Sequence, residues 1–344
     1  MVTAAQKQEI HPAEQMIQFA TGFMVSSAVY SVTKAGIPDL LRDGAKSAQE
    51  LAKNSGSNED ALYRIMRALA SIGVFSEVFD KKFALSPAGE YLCKDTPGSH
   101  RDMVLWMGDA IHHRTYAEMG HALKTGETVI EKVHGVSCFE YFAQDKPLSE
   151  VFNAAMTGFS AMIAPAVLDS YDFSTLNNKT LVDIGGGHGY LLTQILRKYP
   201  DIRGTIFDLE HVVAGARSSL DNSGLSSRCQ TAAGDFFQSV PPGEAYIMKN
   251  IIHDWNDELA LKILKCCHRA GIGKTKVILV ESILPAANIP HLSKWLDLEM
   301  LLLPGGRERT EDEFNRLFAQ AGFRLTRVVP TNSPVCVIEA EKIV

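Results

Sequence analysis

The apolar positions of this chain follow two regimes that meet near residue 180. Before it they recur every three or four residues, and after it short apolar runs alternate with helical periods. In the first regime Phe19, Phe23, Val29, Val32 and Ile37 are spaced for a helix. Ser47 followed by Glu50 has the capping-box pattern that starts a second. Ser57, with Asp60 three residues on, opens a third, whose face carries Leu62, Ile65, Met66, Leu69 and Ile72 until Gly73 stops it. Val74–Phe79 and Lys82–Leu85 then flank Asp80-Lys81 as a β-hairpin, and Ser86-Pro87-Ala88-Gly89 punctuates its exit. Two helices and a hairpin predict a mainly helical, winged-helix-like domain over residues 1–100. Residues 101–170 continue as linking helices rich in Met, Phe, Tyr and His. Such a stripe serves equally as core or as the wall of an aromatic pocket.

In the second regime Leu181–Ile184, Gly204–Phe207, Ala245–Met248 and Val277–Glu281 read as strands. They alternate with helices at Tyr190–Lys198, Val212–Ser219, Glu258–Ala270 and Glu311–Ala321, and Val335–Glu339 is a last strand. The alternation predicts an α/β fold over residues 171–344: a Rossmann-like, doubly wound, parallel-type sheet. Asp172–Lys179 is the expected joint.

Composition narrows the classes. At 344 residues the chain has room for two domains, and its hydrophobic content of 46% fits a globular protein. No apolar run approaches the ~20 residues of a membrane helix, and Met1–Ile10 lacks the apolar core of a signal peptide. The six cysteines form no Cys-x-x-Cys or zinc-finger spacing, so free thiols in a reducing cytoplasm are expected. Residues 1–100 hold 10 Lys+Arg against 11 Asp+Glu, a net of −1. A DNA-reading wing carries basic excess, so protein–protein association is expected there rather than a nucleic-acid-binding regulator.

The chemistry starts at Leu181-Val182-Asp183-Ile184-Gly185-Gly186-Gly187-His188-Gly189. An apolar strand ends in an acid, and glycines let the backbone turn sharply against a ligand. The dinucleotide fingerprint Gly-x-Gly-x-x-Gly fails, at Tyr190 or at Leu192 depending on the starting glycine. Asp183 before the glycines suits a cation, and S-adenosylmethionine carries a sulfonium and an ammonium. Asp208 follows the second strand, 19 residues after Gly189, where an acid takes ribose hydroxyls or caps a helix. Gly234-Asp235-Phe236-Phe237 suits an adenine edge and face, or a simple turn.

With these stretches, Lys249-Asn250-Ile251-Ile252-His253-Asp254-Trp255, Val280-Glu281-Ser282-Ile283-Leu284 and Gly305-Gly306-Arg307-Glu308-Arg309-Thr310, the chain resembles the O-methyltransferases of plant caffeic-acid type. It also resembles their bacterial antibiotic-pathway relatives and animal acetylserotonin methyltransferase. The likeness covers nearly the whole chain, and the His-Asp-Trp and Glu-Arg-Thr elements are its specific marks. It implies an N-terminal dimerisation domain, a homodimer, and methyl transfer from S-adenosylmethionine to a hydroxyl of an aromatic small molecule. S-adenosylhomocysteine is the second product; from spacing, charge and apolar-run length no metal, nucleic acid or membrane is expected to take part. By position it implies that Asp183, Gly185, Gly187, Asp208, Leu209, Gly234, Asp235, Phe236, Lys249 and Trp255 bind the cofactor. Met156, Met300 and Asp254 lie on the acceptor side. His253 is the base, with Glu281 and Glu308 beside it.

The residues give that base a rationale. A phenol titrates near ~10 and is a weak nucleophile at neutral pH, whereas an imidazole titrates near ~6.5 and can take the proton as the oxygen attacks in line. A carboxylate on the other ring nitrogen would fix the tautomer, and Glu281 and Glu308 are both candidates. Some relatives on this scaffold catalyse decarboxylation or hydroxylation instead and tend to lose the base. The presence of His253 favours methyl transfer. No acidic or His cluster has sequence spacing suited to a metal.

Overall fold

The computed structural model describes residues 11–343; the polar start at Met1–Ile10 lies outside them. The chain forms two compact units, one ending at His112 and one beginning at His113.

The first unit holds α1 (Pro12–Lys34), α2 (Ile37–Leu40), α3 (Ala48–Ser55), α4 (Glu59–Ser71) and α5 (Arg101–Met107), with strands β1 (Lys46–Ser47), β2 (Phe75–Val78) and β3 (Lys82–Leu85). The Ser47–Glu50 capping box forms as expected, whereas α4 is capped by Asn58, not Ser57. Asp80 and Lys81 turn the hairpin with φ of 61° and 55°, the left-handed pair that matches strand twist. β1, absent from the sequence expectation, pairs with β3. Val32, Ile37, Leu51, Leu62, Met66, Leu69, Phe75 and Phe83 make the core. Phe19 and Phe23 do not join it: both lie exposed on α1 beside Met16, Ile17 and Met24.

Helix α6 (Ala110–Ala117) crosses the boundary. The second unit continues with α7 (Gly120–Thr125), α8 (Ile130–His134), α9 (Cys138–Gln144) and α10 (Lys146–Ser170). The expected joint at Asp172–Lys179 lies inside this unit, because Phe173 and Leu176 are fully buried in its core. Helix α10 corrects another expectation. It is 25 residues long with a mean hydropathy of 1.6 over its most apolar window, enough in length and composition to cross a membrane. Asn153, Thr157 and Ser160 interrupt its apolar runs and hid it. Its Ile163, Ala164 and Val167 pack into the core with α11.

The sheet that follows is built from β4 (Thr180–Ile184), β5 (Arg203–Asp208), β6 (Cys229–Ala233), β7 (Gly243–Lys249), β8 (Gly271–Glu281), β9 (Phe323–Pro330) and β10 (Cys336–Lys342), with α11 (Tyr190–Lys198), α12 (Glu210–Ser223), α13 (Asp257–Ala270), α14 (Ser293–Leu302) and α15 (Glu311–Gln320). Its order is β6-β5-β4-β7-β8-β10-β9. The five strands from β6 to β8 are parallel, but β10 runs antiparallel to β8 and β9. The sheet is therefore mixed rather than wholly parallel. Alternate residues feed two cores, as period-two strands must. Leu181, Ala245, Ile247, Ile278 and Val280 pack with α10, α11 and α12. Val182, Ile184, Tyr246, Met248, Val277 and Leu279 pack with α13 and α15.

Candidate active site

β5 and β6 lie on one side of β4, and β7 and β8 on the other. The winding direction reverses between β4 and β7, which leaves a crevice outside their carboxyl ends. Every strand-end acid read from the sequence arrives at this edge. β4 leaves through Gly185, Gly187 and Gly189, with φ of 65°, 56° and 74°. A Cβ on Gly185 would stand 2.5 Å from Ile251 Cδ1, and one on Gly189 2.1 Å from Ile206 Cδ1, whereas Gly187 faces open space. Two glycines are thus packed down and the third is left open to a ligand. Asp208, at the end of β5, accepts the N–H of Gly187 at 2.8 Å and of Leu209 at 2.7 Å. Gly234 donates its N–H to the Asp208 carbonyl at 3.0 Å. Asp235 takes the Phe237 N–H at 2.8 Å and the Gln238 amide at 3.1 Å, so it serves the turn that its position also allowed. Leu209 is exposed at the start of α12.

β7 ends at Lys249. Asn250 then takes the left-handed conformation, φ 53°, and a single tight turn over Ile252–Asp254 carries His253. That side chain is almost fully buried. Its Nδ1 lies 2.7 Å from Glu308 Oε1 and 3.9 Å from Glu281 Oε2, and its Nε2 lies 3.5 Å from Asp254 Oδ1. Glu308 is therefore the hydrogen-bond partner, which answers a choice the sequence left open. Glu281 is occupied elsewhere: its Oε1 accepts the N–H groups of Ile251 at 3.0 Å and Ile252 at 2.9 Å. With Nδ1–H donated to Glu308, the neutral ring keeps its lone pair on Nε2. One ligand atom from each of His253, Glu281 and Glu308 lies within 4.8 Å of the others. Sequence spacing hid this convergence, because strand order rather than chain order brings the three together.

The site is rich in buried negative charge. Burial pushes Asp183 up to about 7, opposed by Lys249 and reinforced by Asp208. Burial pushes Asp254 up to about 6, with His253 and Lys249 opposing, and raises Glu281 and Asp208 as well. Burial lowers Lys249 against the pull of Asp183, Glu281 and Asp254. At His253 burial works against the charged ring, but Glu281, Asp254 and Glu308 outweigh it and hold the imidazole well above its ordinary range.

Trp255 sits in an aromatic cluster. Phe139 of α9 stacks on it at 5.3 Å and 27°, and Phe237 and Phe236 meet it edge-on at 4.7 and 6.0 Å. Met300 is buried on α14, and its carbonyl accepts the N–H groups of Gly305 at 2.8 Å and Gly306 at 3.1 Å. Met156 is half-buried on α10, one turn before Phe159, whose ring lies 5.8 Å from the Lys249 ammonium.

Sequence reading assigned no role to several supporting residues. Asp297 accepts the Glu308 N–H at 2.8 Å. Gly306 is so close to the His253 turn that a Cβ would meet the His253 carbonyl at 1.9 Å. Phe139 carried no motif of its own. Arg309 lay in a charged run that reads as solvated surface, yet it is 1% exposed.

A family model described as an O-methyltransferase domain matches residues 116–324, and one described as an O-methyltransferase dimerisation domain matches residues 17–95. The phenazine O-methyltransferase PhzM of Lysobacter antibioticus is 42% identical over 329 residues, 95% of this chain and 96% of that protein. The crystal structure of LaPhzM matches with a TM-score of 0.93 at 41% identity, covering 97% of this chain and 100% of that one. CalO1, a methyltransferase of calicheamicin biosynthesis in an S-adenosylhomocysteine-bound form, matches with a TM-score of 0.84 at 31% identity, over 98% and 99% of the two chains. The chain is an enzyme of the O-methyltransferase family, with a dimerisation domain followed by the catalytic O-methyltransferase domain.

Proposed function

We propose that this enzyme methylates a hydroxyl of a flat aromatic small molecule, with S-adenosylmethionine as donor and His253 as base. The observation that carries the proposal is the His253–Glu308 contact of 2.7 Å at the carboxyl edge of the sheet. S-adenosylmethionine supplies, when bound, a methyl group activated by a sulfonium. The crevice fits such a ligand. Gly187 leaves room for it, and Asp183 and Asp208 sit beneath as acids whose proton affinity burial raises and which a cationic ligand would help to ionise. Trp255, Phe236 and Leu209 give the adenine end apolar surface, and Asp208 and Asp235 keep lone pairs for polar groups.

His253 holds Nε2 as the proton-accepting atom while Glu308 fixes the tautomer and stabilises the imidazolium that forms. General-base help of this kind contributes ~10²–10⁴-fold, and positioning contributes much of the rest. The acceptor side draws on Met300, Met156 and Asp254. A flat aromatic fits methionine and aromatic walls, and the phenazine relative is named for a planar tricyclic. The test is labelled methyl transfer to a panel of flat hydroxyaromatics, including hydroxyphenazines. Label is expected in an ether methyl, and a panel that stays unlabelled throughout would overturn the proposal.

Proton transfer by the His253–Glu281–Glu308 cluster needs no metal. Turnover is expected to survive excess chelator, and loss restored by a divalent ion would reassign the cluster. The chain is also proposed to act as a homodimer. The matched dimerisation domain carries Ile17, Phe19, Phe23 and Met24 exposed on α1, apolar surface that calls for a cover.

A further inference from the structure

Three separated segments build the base: the turn over Ile252–Asp254 with His253, the end of β8 with Glu281, and the loop at residues 305–309 with Glu308. One residue, Arg309, is tied to all three, through its side chain and its backbone. The Arg309 guanidinium donates five hydrogen bonds: from Nη1 to the Ile252 carbonyl at 3.1 Å and the Arg307 carbonyl at 3.3 Å, from Nη2 to the Trp255 carbonyl at 2.8 Å, and from Nε and Nη2 to Asp257 Oδ1 at 3.0 and 2.8 Å. These bonds bracket the His253 turn on both sides. The backbone of the same residue bridges Ile283 in parallel and accepts the Leu284 N–H at 3.0 Å, just past Glu281. Peptide linkage joins it to Glu308. The fork is buried and faces carbonyls that a lysine ammonium could not satisfy together.

We infer that Arg309 is the positioning residue of the base, setting the His253–Glu308 distance by clamping the His253 turn to the loop that carries Glu308. The inference rests on His253 acting as base. Losing the clamp frees the turn and the loop to shift against each other, and about 1 Å of misplacement costs on the order of 10²-fold in rate. A looser contact with Glu308 also lowers the proton affinity of the ring.

The experiment compares Arg309→Ala, Asp257→Ala and His253→Asn in the full-length enzyme. It measures kcat, cofactor Kd and the pH midpoint of kcat/KM, with S-adenosylmethionine and a hydroxyaromatic acceptor. Arg309→Ala is expected to lose about 10²-fold in kcat, to keep cofactor Kd within about threefold, and to move the pH midpoint down. Wild-type turnover, or a loss with an unmoved midpoint, would overturn the inference. Asp257 is 65% exposed at its side chain and decides the case if Arg309→Ala does not fold. Its alanine variant is expected to shift the midpoint the same way by less, and an unchanged profile would overturn the inference. Adding Arg309→Ala to His253→Asn is expected to cost nothing further. Full activity in His253→Asn alone would sink the base itself, a failure distinguishable from one confined to the clamp.

Discussion

The proposed base, His253, is unusual because its carboxylate neighbours make it hold its proton tightly. The sign of the pH effects follows. A raised folded-state pKa stabilises the protein fully below the ordinary imidazole value of ~6.5, and that contribution fades as pH rises through the raised value. The neutral, proton-accepting ring appears over that same upper range. Activity should therefore climb with pH beyond the ordinary imidazole range, and Glu308→Gln, which removes one raising partner, should move the midpoint of kcat/KM down. A midpoint unchanged in Glu308→Gln would show that another group limits the rate. A cationic ligand entering beside these acids also disfavours imidazolium. Nuclear magnetic resonance titration should find the His253 pKa lower with S-adenosylmethionine than with neutral-sulfur S-adenosylhomocysteine. Equal values would place the ring outside the reach of that charge.

At the scale of elements, the site is a set of strand ends pinned by close backbone contacts. Gly306→Ala should push the loop at residues 305–309 off the His253 turn, costing ~1–3 kcal/mol in stability and most of kcat. A folded variant with wild-type turnover would contradict the packing. Away from the site, Glu339 on β10 gathers Tyr171, Thr326, Arg327 and Lys276. Burial would raise it, but these partners prevail and bring it down to about 2. The stabilisation is thus present above the ordinary carboxyl range and is lost as pH falls through about 2. Glu339→Gln should cost ~3–5 kcal/mol at neutral pH, the gap to wild type narrowing in acid, and a gap that held constant down to pH 2 would refute the assignment.

These elements also show what sequence can carry. β4, β7 and β8 were legible because buried parallel strands are continuous apolar runs. β6 and β9 were not, because Gln230, Thr231, Arg324 and Arg327 interrupt edge strands that need only one covered face. His253 was legible as part of a motif. Its pairing with Glu308 was not, because the two lie 55 positions apart and the chain between them folds back through β8 and α14. Arg309 shows the limit most clearly, since charge in a sequence says nothing about burial when its donors find carbonyls and a carboxylate.

At the scale of the whole molecule, the proposed dimer surface belongs to the first unit and the proposed chemistry to the second. Phe19→Asp with Phe23→Asp should lower the mass seen by light scattering from two chains to one. A wild-type protein that scatters as a stable monomer at micromolar concentration would contradict the homodimer. Six free thiols, five of them buried, leave stability to the packed cores rather than to covalent links.

The most direct measurement is single-turnover methyl transfer by wild type and His253→Asn, each saturated with S-adenosylmethionine. Expected is a rate at least ~10²-fold lower in the variant at unchanged cofactor affinity. Equal rates would contradict the role of the buried imidazole at the end of β7.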